Sequence, residues 1–406
     1  MKRAIALAFV LVVACGATAA ALAKPSATKA VAETKVPCSK ATIAVTGPFT
    51  GAAASAGLDQ RNWARVFLAD WNAGKALPGV PKGFKRTKLK SVEADTQLNP
   101  QVAATVAVQL RSNQNILAVN GFSGSQENVA GGPILRRGGL SFVSGSATRA
   151  SLTDPTTPDG SVLKNGYFRR VVPTDKDQGA TDAAFAQKTM GVKSGDTVMT
   201  VDQAEAYSVP LIALIGSLLG KAGVKVDHES QAATQTDFTS LANKAVAEHA
   251  TAVIFGSQVA ANAQLFFGQL KADGFTGKFL GTDGTFDSST FKVPGAYISS
   301  FSLDIHDVPV AAPLVSQFES KYGKTISFGA PTFVAVQMIA MGISNACADG
   351  KATRSEVRTA IGKVSISTSL LGKPIAFQST GDVKGGVGFT IFQIGSGGQY
   401  NVVQKG

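Results

Sequence analysis

The chain reads as an α/β protein of two Rossmann-like lobes, on three observations. Short apolar runs alternate along most of its length with longer segments of helical period, the pattern of parallel sheets covered by helices on both faces. More than eight such units follow one another, more than one sheet holds comfortably, so they divide into two lobes. Hydroxyl-rich loops follow successive apolar runs: Ser123 and Ser125 after Ile116 to Val119, and Ser144, Ser146 and Thr148 after Leu140 to Val143. In an open parallel sheet such loops gather at the carboxyl edge, where ligands bind.

The first residues are a processing signal. Lys2 and Arg3 precede an apolar run from Ala4 to Ala14, followed by small residues. Two cleavage readings compete: a signal peptide of residues 1–23 ending at Ala21-Leu22-Ala23, and a lipobox, Val12-Val13-Ala14-Cys15, in which Cys15 carries lipid. Either exports the protein to the periplasm or cell envelope. Residues 24–40, rich in Ala, Thr, Lys and Pro without periodicity, read as a linker.

The fold is expected to begin with a strand at Ala41 to Val45. The loop Gly47-Pro48-Phe49-Thr50-Gly51 leads into a helix ending near Asn72, whose apolar stripe is Trp63, Val66, Phe67 and Trp71. A loop carrying Pro78, Pro81 and Gly83 precedes a strand at Leu89 to Ala94, and proline opens a helix from Pro100 to Arg111. Gly121 to Thr148 then reads as loop, helix, strand, loop, with Phe122 in the core; the helix that opens there offers free N–H groups and a positive dipole end to an anion. After an extended stretch at Tyr167 to Val172 the pattern restarts. Helices are expected at Lys176 to Met190, Ala206 to Ala222, Phe238 to Glu248 and Val259 to Asp273. Strands are expected at Thr197 to Val201, Val224 to Asp227, Ala252 to Phe255 and Phe279 to Leu280. Three further helices, Pro309 to Tyr322, Thr332 to Ala348 and Arg354 to Lys363, precede an antiparallel ribbon of Ile375 to Phe377, Phe389 to Ile394 and Tyr400 to Val403.

The chain has 406 residues, 44% of them hydrophobic and 16% charged, enough for two ordinary domains. Its formal charge of +12 is scattered rather than striped and lacks aromatic-plus-basic stacking patterns, so it reads as a basic solvated surface, not a nucleic-acid site. Setting Cys15 aside, Cys38 and Cys347 form an even pair in an exported chain and are the disulfide candidates. These cysteines and His228, His249 and His306 lie far apart, without metal-ligand spacing. Enzyme signals fail too: Gly121-Phe-Ser-Gly-Ser misses the nucleophile elbow, Phe318 stands where a P-loop ending at Gly323-Lys324-Thr325 needs glycine, and Gly395 to Tyr400 breaks the dinucleotide pattern. No catalytic residue, cofactor or metal is expected.

Several short pieces stand in a particular order: Gly47-Pro48-x-Thr50-Gly51, Asp95 with Gln97 to Pro100, Ser123 to Gln126, Ser146-Ala147-Thr148, Asp177-Gln178-Gly179, Tyr207, and Gly281-Thr282-Asp283-Gly284. In these the chain resembles the branched-chain amino-acid-binding proteins of ABC importers, a family of type I periplasmic binding proteins, over roughly the whole mature sequence. The resemblance implies two lobes joined by three chain crossings, placed near Val172, Ser302 and Leu371. Lobe 1 would comprise 41–172 plus 303–371, and lobe 2 would comprise 173–302 plus 372–406. It implies a receptor, monomeric, that delivers a solute to a membrane permease and performs no chemistry.

It also implies site roles, each beside a plainer reading. Ser125 would hold the ligand carboxylate, or cap a helix. Ser146 and Thr148 would offer groups to the same carboxylate, or form turns. Asp283 would meet the ligand ammonium, or be a turn aspartate. Tyr207 would close over the ligand, or pack at a helix start. Gln258 and Ala56 replace aromatic residues of branched-chain binders, which points away from leucine, isoleucine and valine toward a larger or more polar guest. A zwitterion enclosed between lobes needs both charges paired, because an unpaired buried charge costs several kcal/mol. The alternatives are an aromatic or aliphatic carboxylate, or an amide or urea, in the same fold; a sensory or adhesive envelope protein on that scaffold; and an enzyme of unrecognised type.

Overall fold

The computed structural model describes residues 33–385 and 388–406, with Thr34–Gly406 forming one compact unit. The leader, Cys15 and most of the expected linker lie outside the described residues. The end of that linker is structured: β1 (Val36–Pro37) and a helical turn at Cys38–Lys40 precede the first sheet.

That sheet comprises β2 (Thr42–Gly47), β3 (Lys90–Asp95), β4 (Ile116–Asn120), β5 (Ser141–Ser144) and β6 (Phe168–Arg170). All are parallel, in the order β3-β2-β4-β5-β6. Helices α1 (Ala54–Asn72), α2 (Pro100–Ser112), α3 (Ser125–Arg137) and the short α4 (Pro158–Leu163) accompany it. The stripe on α1 is buried as its period requires, with Trp63 stacked on Phe318 at 4.6 Å and edge-on to Phe333 at 5.9 Å. Asn99 caps α2 by accepting the N–H groups of Gln101 and Val102, and Pro100 follows where its missing N–H costs nothing.

The second sheet follows α5 (Asp175–Lys188). Its first five strands are β7 (Thr197–Asp202), β8 (Lys225–Ser230), β9 (Ala252–Phe255), β10 (Lys278–Gly281) and β11 (Tyr297–Ser300), with α6 (Ser208–Lys221), α7 (Thr239–Ala247) and α8 (Ala260–Ala272) between them. Strand β11 is an addition to the sequence expectation: it is four residues long and ends in Ser299 and Ser300, too short and too polar for an apolar-run signal.

The chain then returns to the first lobe with α9 (Ala312–Tyr322) and α10 (Gly329–Ala346), the latter buried along nearly its whole length between α1 and the sheet. β12 (Lys351–Ala352) pairs antiparallel with β1, and α11 (Arg354–Ile361) follows. β13 (Ser365–Ile366) pairs with β14 (Ile375–Ala376), so the strand at Ile375 is no part of the terminal ribbon. The ribbon is the hairpin of β15 (Thr390–Ile394) and β16 (Tyr400–Gln404), which extends the second sheet antiparallel from β11 to give the order β16-β15-β11-β10-β9-β7-β8.

The expected crossing near Leu371 is corrected. Leu371, Ile375, Phe377 and Val383 are buried in the first-lobe core, and the chain enters the second sheet only at Thr390. Val172, Phe301 and Phe389, one from each segment running between the sheets, pack as one small cluster. The chain is still in the first-lobe core at Val383, well past Leu371.

Cys38 and Cys347 are bonded, joining residues 309 apart and fastening the chain's start to the end of α10. A link of that span removes much freedom from the unfolded chain. Cys347→Ser is expected to cost about 2–4 kcal/mol of stability, read as a lower denaturation midpoint that reductant reproduces in the unaltered protein. A midpoint indifferent to both would refute it.

Candidate functional site

Both sheets share one winding, with the first strand between the second and third, so each has a topological switch at the carboxyl ends of its first and third strands. The two switches face one cavity of about 30 Å³. From the first lobe it is lined by Pro48 after β2, Leu98 after β3, Ser123 and Ser125 after β4, Ser146 after β5, and Ala53, Ala56 and Gln60 near the start of α1. From the second lobe come Tyr207 after β7, Gln258 after β9, and Asp283 and Gly284 after β10; Phe328 closes the remaining side.

The first-lobe loops are held by dedicated polar groups. The Asp95 carboxylate accepts the N–H groups of Phe49 (2.8 Å), Thr50 (3.3 Å) and Gln97 (3.0 Å) and the Thr50 hydroxyl (2.5 Å), fixing the loop after β2. Gln97 and Leu98 follow with φ of 55° and 57°, a left-handed pair that non-glycine residues adopt at a cost, and Leu98 thereby reaches the cavity. Asn128 on α3 binds Phe122 N–H and O and Gly124 O, shaping the loop after β4. Phe122 itself is buried, as expected.

Gln60 joins the two hydroxyl loops. Its Oε1 accepts from the Ser123 hydroxyl at 2.5 Å and its Nε2 donates to Ser146 Oγ at 3.0 Å. The Ser146 hydroxyl in turn donates to Ser123 O at 3.0 Å. The hydroxyl protons of Ser123 and Ser146 are therefore committed within the protein. Ser125 differs: its Oγ accepts the Arg149 N–H at 3.3 Å, leaving its proton to donate. Ser125 is the first residue of α3, where backbone N–H groups lack partners within the helix. Buried Glu127 accepts the Gly124 N–H (2.6 Å), and burial pushes its carboxyl up to about 7 against the opposing hydrogen bonds of Thr96 and Gly124.

On the second lobe, the Tyr207 hydroxyl donates to Asp283 Oδ1. Asp283 is 4% exposed, and burial pushes its carboxyl up to about 7 against the opposing hydrogen bonds of Tyr207 and Gln178. Glu205 receives the N–H groups of Tyr207 (2.6 Å) and Ser208 (2.9 Å) at the start of α6, and burial raises its carboxyl too. Behind Asp283, Gln178 and Asp182 on α5 bond with Ser299 of β11, and Asp175 opens the same helix; burial lifts Asp175 to about 8 and raises Asp182. Gln258 Nε2 donates to Glu205 Oε2 at 2.9 Å and, across the lobes, to Gln126 Oε1 at 2.8 Å. Arg149 reaches across as well, to Ala206 O.

The structure brings together Ser125, Ser146, Tyr207, Gln258 and Asp283 but not Thr148. Thr148 is fully buried beneath the cavity, its carbonyl accepting the Asp175 N–H at 2.9 Å where the chain enters α5. Sequence reasoning missed Gln60. The signal was present: a polar residue three and seven positions before Trp63 and Phe67, on the apolar stripe of α1. Among the described residues no group of His, Cys, Asp or Glu is arranged to hold a metal, and no helix is long and apolar enough to cross a membrane.

Residues 40–399 match the model of the periplasmic binding protein family. An amino acid binding protein of Pseudomonas aeruginosa is 24% identical over 334 residues, covering 79% of this chain and 84% of that protein. The fold resembles a leucine binding protein from Thermotoga maritima, with a TM-score of 0.75, 20% identity, and coverage of 89% of this chain and 97% of that one. It also resembles a fatty acid ABC transporter substrate-binding protein from Thermomonospora curvata, with a TM-score of 0.74, 18% identity, and coverage of 90% and 91%. The two-lobed α/β architecture read from the sequence is the fold of these structures, and the family match spans both lobes and all three passages between them. The chain belongs to the periplasmic binding protein family.

Proposed function

We propose that the protein is an exported receptor of an ABC importer that closes over an amino acid or a related small zwitterion and hands it to a membrane permease. One observation carries this reading: a free hydroxyl at a helix N-terminus on the first lobe faces a buried carboxyl on the second across a single cavity. The Ser125 hydroxyl and the first amides of α3 take the ligand carboxylate. Asp283, oriented by Tyr207, takes the ammonium. Each half then supplies the charge the other lacks, so closure depends on the guest that joins them. Ser146 and Gln60 hold the carboxylate loop in shape, and Gln258 with Glu205 presents a polar wall to the rest of the guest. The receptor acts as a monomer and carries out no catalysis. The amino-terminal mass of the mature protein distinguishes cleavage after Ala23 from lipidation at Cys15.

Calorimetry of the purified mature protein against the amino acids tests the reading. Saturable heat with an amine-bearing ligand is expected. Heat with a plain carboxylate such as benzoate or octanoate, and none with any amine, would replace it with a second reading: a carboxylate receptor of the same fold. Two observations favour that second reading. Asp283 already has the Tyr207 hydroxyl as a partner, and a structurally similar protein is a fatty acid receptor.

A further inference from the structure

A second cavity of about 110 Å³, more than three times the size of the first, opens along the same cleft. The two share walls. The loop after β10 gives Asp283 and Gly284 to the first and Phe286 and Ser288 to the second; the segment before α10 gives Phe328 to the first and residues 324–327 to the second. The second cavity is faced by apolar surface from both lobes: Phe286 and Tyr400 from one, in edge-to-face contact at 4.8 Å, and Leu303, Ile305 and Ile326 opposite.

Half of the polar side chains around it are already engaged. The Tyr400 hydroxyl donates to Phe291 O at 2.8 Å. The Thr325 hydroxyl donates to Asp59 at 2.9 Å and accepts from Trp63 Nε1 at 2.7 Å. The His306 ring lies between Asp304 (2.7 Å) and Glu319 (3.1 Å). The others are the side chains of Ser288 and Gln399, that of Lys324, which is exposed, and the Ser327 hydroxyl, which is buried without a partner among the described residues. A pocket so lined offers a hydrocarbon chain apolar contact from both lobes, with a few hydroxyl and amide groups beside it. Its volume approaches the roughly 150 Å³ of a cavity that accepts benzene, whereas the first cavity holds no more than about two or three waters by the same measure.

Resting on the reading above, we propose that this second cavity is the tail subsite of the ligand cleft, so that the guest is an amino acid with a long apolar side chain. Its zwitterionic head sits between Ser125 and Asp283, and its side chain runs past Phe328 into the space between Phe286 and Ile305. Ala53 and Ala56 line the first cavity with no more than a methyl group each.

Calorimetry with straight-chain L-2-amino acids, from alanine to 2-aminooctanoate, tests this on the mature protein. Affinity is expected to rise about fourfold per methylene as the chain fills the subsite. Ser288→Trp, which fills the subsite, is expected to flatten that rise while alanine binds as before; Ile326→Phe serves as a second filling variant, with melting curves confirming that each is folded. A wild-type affinity flat in chain length, or a rise that survives both substitutions, would overturn the proposal. If no amino acid binds, the zwitterion reading falls on its own, and plain carboxylates from acetate to octanoate put the same question to the tail. A fourfold rise per methylene there retains the subsite, and a flat series removes it.

Discussion

Asp283→Asn is expected to weaken amino acid binding by about a hundredfold or more, the equivalent of the roughly 3–5 kcal/mol lost when one partner of a buried ion pair is removed. The same substitution should erase a pH dependence. Burial holds the Asp283 carboxyl near 7 in the ligand-free protein, with Glu205 adding to the rise and Tyr207 and Gln178 opposing it. Asp175 and Asp182 lie close enough to be raised by its charge in turn. An ammonium ligand requires the ionised form. Above pH 7 that form is already present and affinity is level; below it the carboxyl must release its proton on binding, so affinity falls by about tenfold per unit. A plain carboxylate ligand reverses the sign, because protonated Asp283 no longer repels it and binding strengthens as pH falls. Calorimetry at pH 5.5 and 8 in two buffers of different ionisation heat measures both affinity and the proton released. Equal affinity for an amine at the two values, with none released, would remove Asp283 from the site.

The sequence carried the position of this carboxyl more plainly than its chemistry. Asp283 follows a short apolar run and sits between glycines, as residues at the carboxyl edge of a parallel sheet do, so its place could be read from order alone. Its partner Tyr207 is 76 residues away, and the α5 acids behind it are about a hundred, so the shift of its carboxyl was visible only once those elements had packed. The carboxyl-edge place of the hydroxyl loops was legible because strand and helix alternate with clear periods, whereas the strand order that makes switch points of them emerges only from packing. The third passage was misplaced because Ile375 to Phe377 has the composition of a strand, and composition does not tell which sheet it serves. Here it pairs with Ser365–Ile366 in the first lobe. Thr148 and Ser146 show a similar limit. Both are hydroxyl residues after a strand, but Ser146 lines the cleft while Thr148 is fully buried away from it, and Ser146 spends its proton on Ser123 O while its oxygen accepts from Gln60. Such commitments depend on long-range contacts, which no local pattern records.

Arg170 is the other residue whose loss should matter most, and nothing local in the sequence marks it. It ends β6 with its side chain fully buried. Its guanidinium donates to Ala147 O and Arg149 O, each at 2.9 Å, to Thr153 Oγ1 at 2.7 Å, and to Asp382 Oδ1 at 2.9 Å. The first two bonds pin the loop that carries Ser146 and the Arg149 N–H held by Ser125. The last reaches the segment that leads to the third passage between lobes. Arg170→Met keeps the length of the side chain but strands three buried acceptors and leaves Asp382, 22% exposed, without its cation. The expected loss is about 3–5 kcal/mol of stability, together with weaker ligand binding because the carboxylate loop is released. Arg170→Lys restores the charge but not the planar fork, which spans four acceptors at once, so it should recover only part of the loss. Asp382→Asn tests the ion pair separately: if charge pairing is the main contribution, the double variant with Met at 170 should lose less than the sum of the two single changes. Denaturant titrations of the four proteins, with calorimetry on those that remain folded, measure both effects. If Arg170→Met melted within about 0.5 kcal/mol of the unaltered protein, the range of an ordinary surface substitution, the loop would owe its shape to Gln60 and the β5 hydroxyls instead.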